Sequence, residues 1–467
     1  MKLIKSSYLR VILDSAEEHG FVFHTLFGNS RIINVEGLRF LSLFNKPISV
    51  SEVVSLCDGD WETLAREFTS IFFLVEDDFD EMELLKQKQA EHLERIKNKS
   101  IVDHINLSVS NRCNFGCSHC MFLQFPGEKQ TATPNAITLS KMEWETAKMC
   151  VDAYIKILRE TGRNSGRIHF GDAEPLLNWT VIKMVLEYTS SSLLGFSFEY
   201  AINTNLSLLN REMALTLKKY NVKVATSLDG IGSINDLIRV TAGTRKGTFE
   251  KIIQKLDLLA GIGYPVDGIS VTVTDANFPF VGKEIIDFAY ERGMNSIAFD
   301  YDLINRMHVS IEERVDKIME LRAYANGLDI YFGGTWGAPF RKLMLGSILD
   351  KPHGFCAAVE GSGLAFDIDG SIKVCDYSMT RIGHLKDIND LFIESGGLYQ
   401  LVKIRFPGND ERCKGCILEV VCGGQCHITR EVAAKGSEEI FSEMCDFYRA
   451  MTLALIRDTL IHYRERR

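Results

Sequence analysis

Ten of the twelve cysteines fall into two spaced sets. Thiolates at short fixed intervals converge on metal, whereas packing cysteines scatter. The first set is Cys113, Cys117 and Cys120, a C-x3-C-x2-C run. The second is Cys356, Cys375, Cys413, Cys416, Cys422, Cys426 and Cys445. Three thiolates are one too few for a four-iron cube. The fourth iron is then open to a substrate or cofactor, as the open position of a catalytic zinc is. A structural zinc loop completed by His119 or His104 is the competing reading of the first set, and a zinc ribbon that of the second. Cys57 and Cys150 stand alone in apolar-periodic segments and read as buried packing residues.

The elements that must position these thiols change character along the chain. Residues 1–77 open with the hairpin FVFHTLFGNSRIINV, its turn at Gly28-Asn29. Helical patterns follow in EGLRFLSLF, in VVSLC behind a Ser49/Glu52 capping box, and in WETLAREFTSIFF. Strands with three short helices predict a winged helix. Residues 78–100 read as a charged, solvated helical linker. Over 101–310, six strands (HINLSVS, RIHFG, FEYAINTN, VKVATSLD, GISVTVTD, NSIAFDY) alternate with helices, one of them capped by Ser140 and Glu143. Such alternation predicts an α/β fold with a partial barrel and its site at the C-terminal strand ends. The three-cysteine run directly follows the first of these strands. Residues 311–352 bridge to a Gly- and Cys-rich region, 353–450, with short strands in GLAFDI and SIKVC; residues 451–467 read as a closing helix.

The bulk numbers restrict the partners. A chain of 467 residues has room for two to four domains. A net charge of -9 and a pI near 5.8 disfavour nucleic acid. Ser6, Ser7, Arg10 and Asp14 interrupt any secretory apolar core, and no stretch of 18 apolar residues occurs, so a cytoplasmic, membrane-free protein is expected.

SNRCNFGCSHC after the first barrel strand resembles the signature of the radical S-adenosylmethionine (SAM) superfamily, with His119 at a position usually aromatic. The resemblance implies a [4Fe–4S] cluster on Cys113, Cys117 and Cys120 that binds SAM and cleaves it reductively to a 5′-deoxyadenosyl radical. HFGDAEPLL resembles the Gly-Gly-Glu-Pro segment that holds the SAM amino group; Glu174 and Pro175 match, while Asp172 and Ala173 replace the glycines. Thr204 and Asn205 in INTN, and Ser227, Asp229 and Arg239 around SLDG, fall where the family contacts SAM.

The second set resembles, cysteine by cysteine, the SPASM domain of peptide and sulfatase maturases. It implies two auxiliary [4Fe–4S] clusters. Cys413, Cys416, Cys422 and Cys445 would hold the outer one, and Cys356, Cys375 and Cys426 the inner one. The inner cluster's remaining position would fall to His353, another side chain, a substrate thiolate or nothing. Asp376 stands where sulfatase-maturing relatives place a base; a solvated turn residue is the bland alternative.

The front segment resembles a RiPP recognition element, the winged helix that captures leader peptides of ribosomally made, modified peptides. Together these imply a maturase acting on a leader-bound precursor peptide, fed by a flavodoxin or ferredoxin, and forming a thioether or carbon–carbon cross-link. A formylglycine-forming sulfatase maturase, a peptide epimerase and a non-catalytic iron–sulfur protein are the alternatives.

Overall fold

Alternating side-chain direction along a strand lets one short ribbon serve two cores, and the front of this chain uses that. The structure, a computed structural model, describes residues 2–55, 61–124, 141–191, 195–349 and 354–465. Strands β1 (Lys2–Lys5), β2 (Leu9–Leu13), β3 (His19–His24) and β4 (Ser30–Asn34) precede helix α1 (Val35–Leu43). β5 (Ile48–Ser49), α2 (Val50–Val54), α3 (Trp61–Ser70), β6 (Leu74–Glu76) and α4 (Glu81–Lys97) follow. β2, β3 and β4 pair antiparallel, and β1 is paired on both sides by β5 and β6. The hairpin turns at Gly28, whose φ of 77° is the left-handed region that suits glycine. Ser49 and Glu52 form the reciprocal cap at α2. On β3, Val22 packs in a small front core with Phe40, Phe44 and Phe68. Its neighbours Phe21 and Phe23 point the other way, into the main core.

The six expected strands form and pair parallel in chain order: β7 (His104–Leu107), β8 (Ser165–Phe170), β9 (Ser197–Thr204), β10 (Lys223–Ser227), β11 (Gly268–Val273) and β12 (Ser296–Tyr301). A seventh parallel strand, β13 (Tyr331–Gly333), extends the β12 edge from within the segment read as a bridge. It is three residues long, too short to show a period. At the opposite edge β14 (Gly363–Phe366) pairs parallel with β7, and β15 (Ser371–Lys373) and β16 (Arg381–His384) add antiparallel. One ten-stranded open sheet results. The cysteine-rich region therefore grows directly from the strand that precedes the first cysteine loop.

Three expectations need correction. α4 is helical but not solvated: Leu85, His92, Leu93 and Ile96 are buried, and His92 Nε2 lies 3.1 Å from the Glu360 carbonyl. Its charges occupy mostly the other face, but Glu81 is buried and accepts from Ser6 Oγ at 2.6 Å. The last helix begins at Glu438 and runs to Glu465, so it carries Cys445. The helix Trp144–Glu160 has Glu143 at its N-cap without a side-chain bond, and Ser140 lies outside the described residues, as does Cys57. Cys150 is fully buried on that helix. Among the described residues no helix is long and apolar enough to cross a membrane.

Candidate functional site

The loop after β7 is pinned to the segment after β10 by backbone bonds. Gly116 N donates to Val240 O at 2.7 Å, Ser118 N to Ile238 O at 3.1 Å, and Ala242 N to Asn114 O at 2.9 Å. Cys113, Cys117 and Cys120 thereby line a cavity of about 990 Å3 at the C-terminal ends of the parallel strands. His104 starts β7, at the far end from this loop, and is not brought to it. Phe115 N donates to Cys113 Sγ at 3.4 Å, Asn205 Nδ2 approaches the same sulfur at 3.6 Å, and Arg239 Nη1 lies 3.9 Å from Cys117 Sγ. Burial pushes the Cys113 thiol up to about 12 and raises Cys117 as well. These sulfurs become thiolates when a metal takes the proton's place.

Asp172, Ala173, Thr204, Asn205, Ser227 and Arg239 line the same cavity, while Glu174 and Asp229 stand just behind it. Glu174 is completely buried and accepts from Thr204 Oγ1 at 2.6 Å, Asn205 N at 2.8 Å and Leu176 N at 3.0 Å. Burial nevertheless raises it to about 7. Its carboxylate ties the end of β9 to the loop after β8. Asp229 pairs with Arg239 at 2.7 Å and accepts from Thr272 N at 2.8 Å, fixing the guanidinium beside Cys117. His119 Nδ1 lies 3.7 Å from Asp229 Oδ2, and burial lowers the ring's pKa. Asp172 holds φ at 82°, the conformation a glycine would take freely. Its side chain is ion-paired at 3.1 Å with buried Lys373 of β15. Lys373 also donates to Asp376 O at 3.0 Å.

Cys356, Cys375 and Cys426 line the cavity from the other side. Cys356 is exposed, but to the cavity, with protein on its remaining sides. Phe122 and Tyr377 stack 6.3 Å apart between the two cysteine loops. Asp376 is 5% exposed and sits behind its lining neighbours Cys375 and Tyr377. Its Oδ2 lies 3.4 Å from His169 Nδ1, and its buried Oδ1 has no hydrogen-bond partner among the described residues. His353 lies outside the described residues.

Cys413, Cys416, Cys422 and Cys445 lie apart from this cavity. Burial, then Asp410, then Cys445 and Cys416 push Cys413 up to about 12, and burial and then Cys445 raise Cys422, so these four thiols form their own group. Gln425 N donates to Cys422 Sγ at 3.2 Å and Gln425 Nε2 to Cys445 Sγ at 3.0 Å; Arg449 Nη1 lies 3.9 Å from Cys416 Sγ. Sequence reasoning overlooked Gln425, Arg449 and Lys373. Only Lys373 carried a signal, as a lysine two residues before Cys375 in an otherwise apolar strand.

Among the described residues no group of three or more His, Cys, Asp or Glu side chains closes on a single metal ion. Six of the thiols instead line the cavity, and N–H donors are aimed at Cys113, Cys422 and Cys445. That donor set suits iron–sulfur groups, whose potentials depend on such bonds. Two thiol triads facing one cavity can place a one-electron donor and a one-electron acceptor on opposite sides of a bound substrate.

Comparison with known proteins agrees with this reading of the strand ends. Residues 90–288 match the model of the radical SAM superfamily. The radical SAM cyclopropyl synthase TigE of Paramaledivibacter caminithermalis is 24% identical over 463 residues, covering 97% of this chain and 96% of the relative. The solved structure of native anSMEcpe with bound AdoMet and Cp18Cys peptide superposes with a TM-score of 0.57 at 16% identity, over 76% of this chain and 99% of that one. Streptococcus suis SuiB superposes with a TM-score of 0.50 at 15% identity, over 91% and 96%. The fold is that of radical SAM/SPASM proteins. The superfamily match counts against a non-catalytic iron–sulfur protein.

Proposed function

We propose that this chain, a radical SAM enzyme, oxidises a precursor peptide by joining two of its carbons. The observation that carries the reading is the pair of triads, Cys113/Cys117/Cys120 and Cys356/Cys375/Cys426, on one cavity. When bound, SAM with a [4Fe–4S] cluster on the first triad supplies a hydrogen-atom acceptor, and two auxiliary clusters on the second set supply an electron acceptor. Joining two C–H carbons releases one hydrogen atom, one proton and one electron. The chain must therefore add a base. Asp376, buried beside Cys375 with one oxygen unpartnered, is suited to that role. Thr204, Asn205, Ser227 and Arg239 would orient SAM, with Glu174 and Asp229 holding them in place.

The front unit offers a place for a leader. Val11 and Leu13 on edge strand β2 are 46% and 43% exposed. Together with Leu38 of α1 they converge over Gly20, beside a strand edge that is unpaired among the described residues. Such an edge captures an extended peptide by main-chain pairing. A flavodoxin or ferredoxin would supply the electron for SAM cleavage.

The cyclopropyl synthase name of TigE favours carbon–carbon over thioether bonding. Formylglycine formation is the second reading, favoured by Asp376 and by the likeness to the cysteine-type anaerobic sulfatase-maturating enzyme of Clostridium novyi, 24% identical over 347 residues. The test uses anaerobically reconstituted protein with SAM, dithionite and the peptide encoded beside it. 5′-Deoxyadenosine and a peptide lacking two hydrogens, its cysteines still open to alkylation, are expected. A thiol consumed with that same mass would mean a thioether, a hydrazide-reactive aldehyde would mean formylglycine, and an unchanged mass an epimerase. No 5′-deoxyadenosine from protein with its full iron content would overturn the reading.

A further inference from the structure

Between the two C-terminal thiol groups lies a buried cation with no acid to match it. Arg405 ends the helix Gly397–Arg405 and is 4% exposed. Its Nε donates to Gly423 O at 2.9 Å, and its Nη2 donates to Gly424 O at 3.2 Å and to Gln425 O. Its Nη1 lies 3.4 Å from His427 Nδ1. The three carbonyls turn toward it because Gly423, Gly424 and Gln425 all adopt left-handed backbone, with φ of 54°, 76° and 56°. No carboxylate among the described residues pairs with Arg405, whereas the nearby Arg430 is paired with Asp410. Burial and Arg430 pull Arg405 down to about 10, so it keeps its charge at neutral pH.

A buried charge without a counter-ion costs several kcal/mol. The loop that cages this one runs from Cys422 of the outer group to Cys426 of the inner group. Negative charge is available from sulfur at each end of that loop, Cys422 of the outer group and Cys426 of the inner one, with Arg405 bonded to the three carbonyls between them.

We infer that Arg405 is a permanent counter-charge shared by both C-terminal thiolate groups, and that it raises the reduction potential of each cluster they hold. Reduction adds negative charge, and a fixed cation in a low-dielectric setting favours the more negative state. The substrate electron, released as the carbon–carbon bond forms, would then pass more readily to the auxiliary side. This inference rests on the proposal that the seven cysteines bind two clusters.

The test is a redox titration of reconstituted full-length protein, followed by electron paramagnetic resonance, for wild type, Arg405→Gln and Arg405→Lys. Gln keeps hydrogen-bond donors and loses the charge; Lys keeps the charge. Arg405→Gln should lower the auxiliary midpoints by at least the 59 mV that a tenfold one-electron change represents, and Arg405→Lys by much less. The signal from the Cys113/Cys117/Cys120 cluster should not move. If Arg405→Gln loses its auxiliary iron while Arg405→Lys retains it, the counter-charge role stands. Unmoved auxiliary midpoints at full iron content would overturn the inference alone, as would loss of auxiliary iron in both variants. Wild type with iron for only one cluster would overturn the two-cluster reading beneath it.

Discussion

Asp172 shows how one residue can replace a glycine. A non-glycine side chain at φ 82° carries a backbone penalty of about 1 kcal/mol. The carboxylate offsets it by pairing with Lys373, a lysine only 2% exposed. The departure from Gly-Gly and the lysine in β15 are therefore one device, joining the SAM-side loop to the strand that leads to Cys375. Asp172→Gly should relieve the strain yet leave Lys373 with only the more distant Asp367, at 3.7 Å, destabilising the protein by about 2 kcal/mol, the worth of a hydrogen bond to a charged group. Asp172→Gly with Lys373→Met should recover most of that loss, as a double-mutant cycle in denaturant would show. Glu431 gives a pH signature. Against burial, bonds from His427, Ser378, Thr380 and Met379 N hold it at about 2, below its ordinary 4.5. Its folded value is depressed, so its contribution, about 3 kcal/mol, is complete above the unfolded value and is lost as pH falls toward 2. Unfolding midpoints of metal-free wild type and Glu431→Gln should differ near pH 6 and converge toward about pH 2.

Period-two alternation made most strands legible as elements. All six parallel strands stand where the sequence placed them, as does the hairpin at Gly28. Partner choice was not legible. Nothing local in GLAFDI says that it pairs with β7, because that pairing is made across more than 250 residues. α4 was misread because its charges outnumber its core contacts, although Leu85, Leu93 and Ile96 suffice to bury one face. β3 is the sharpest case. Phe21 and Phe23 belong to the main core and Val22 to the front core, so the front unit is built into the body. Deleting it would strip the main core, and surface variants are the cleaner probe of leader binding. Val11→Asp, on the exposed edge β2, should weaken precursor binding at least about tenfold, or 1.4 kcal/mol, by titration calorimetry. The same variant should leave SAM cleavage without peptide unchanged; unaltered peptide affinity would place the leader elsewhere.

At the scale of the whole molecule, the continuous sheet accounts for the site. β14 lies parallel to β7, so the segment beyond it reaches the same end of the sheet as the first cysteine loop. Spacing made metal ligation an expectation, and the SPASM resemblance supplied the grouping of the seven later cysteines. Neither could show that two triads share a cavity while the other four thiols stand apart, since that depends on pairing between distant strands. In the proposed function the two triads divide the chemistry: one side starts the radical, the other receives the electron. Cys375→Ala tests it most directly, assayed with SAM, dithionite and precursor peptide. The account predicts that 5′-deoxyadenosine still forms while the peptide lacking two hydrogens does not. Undiminished formation of that product by Cys375→Ala would contradict it.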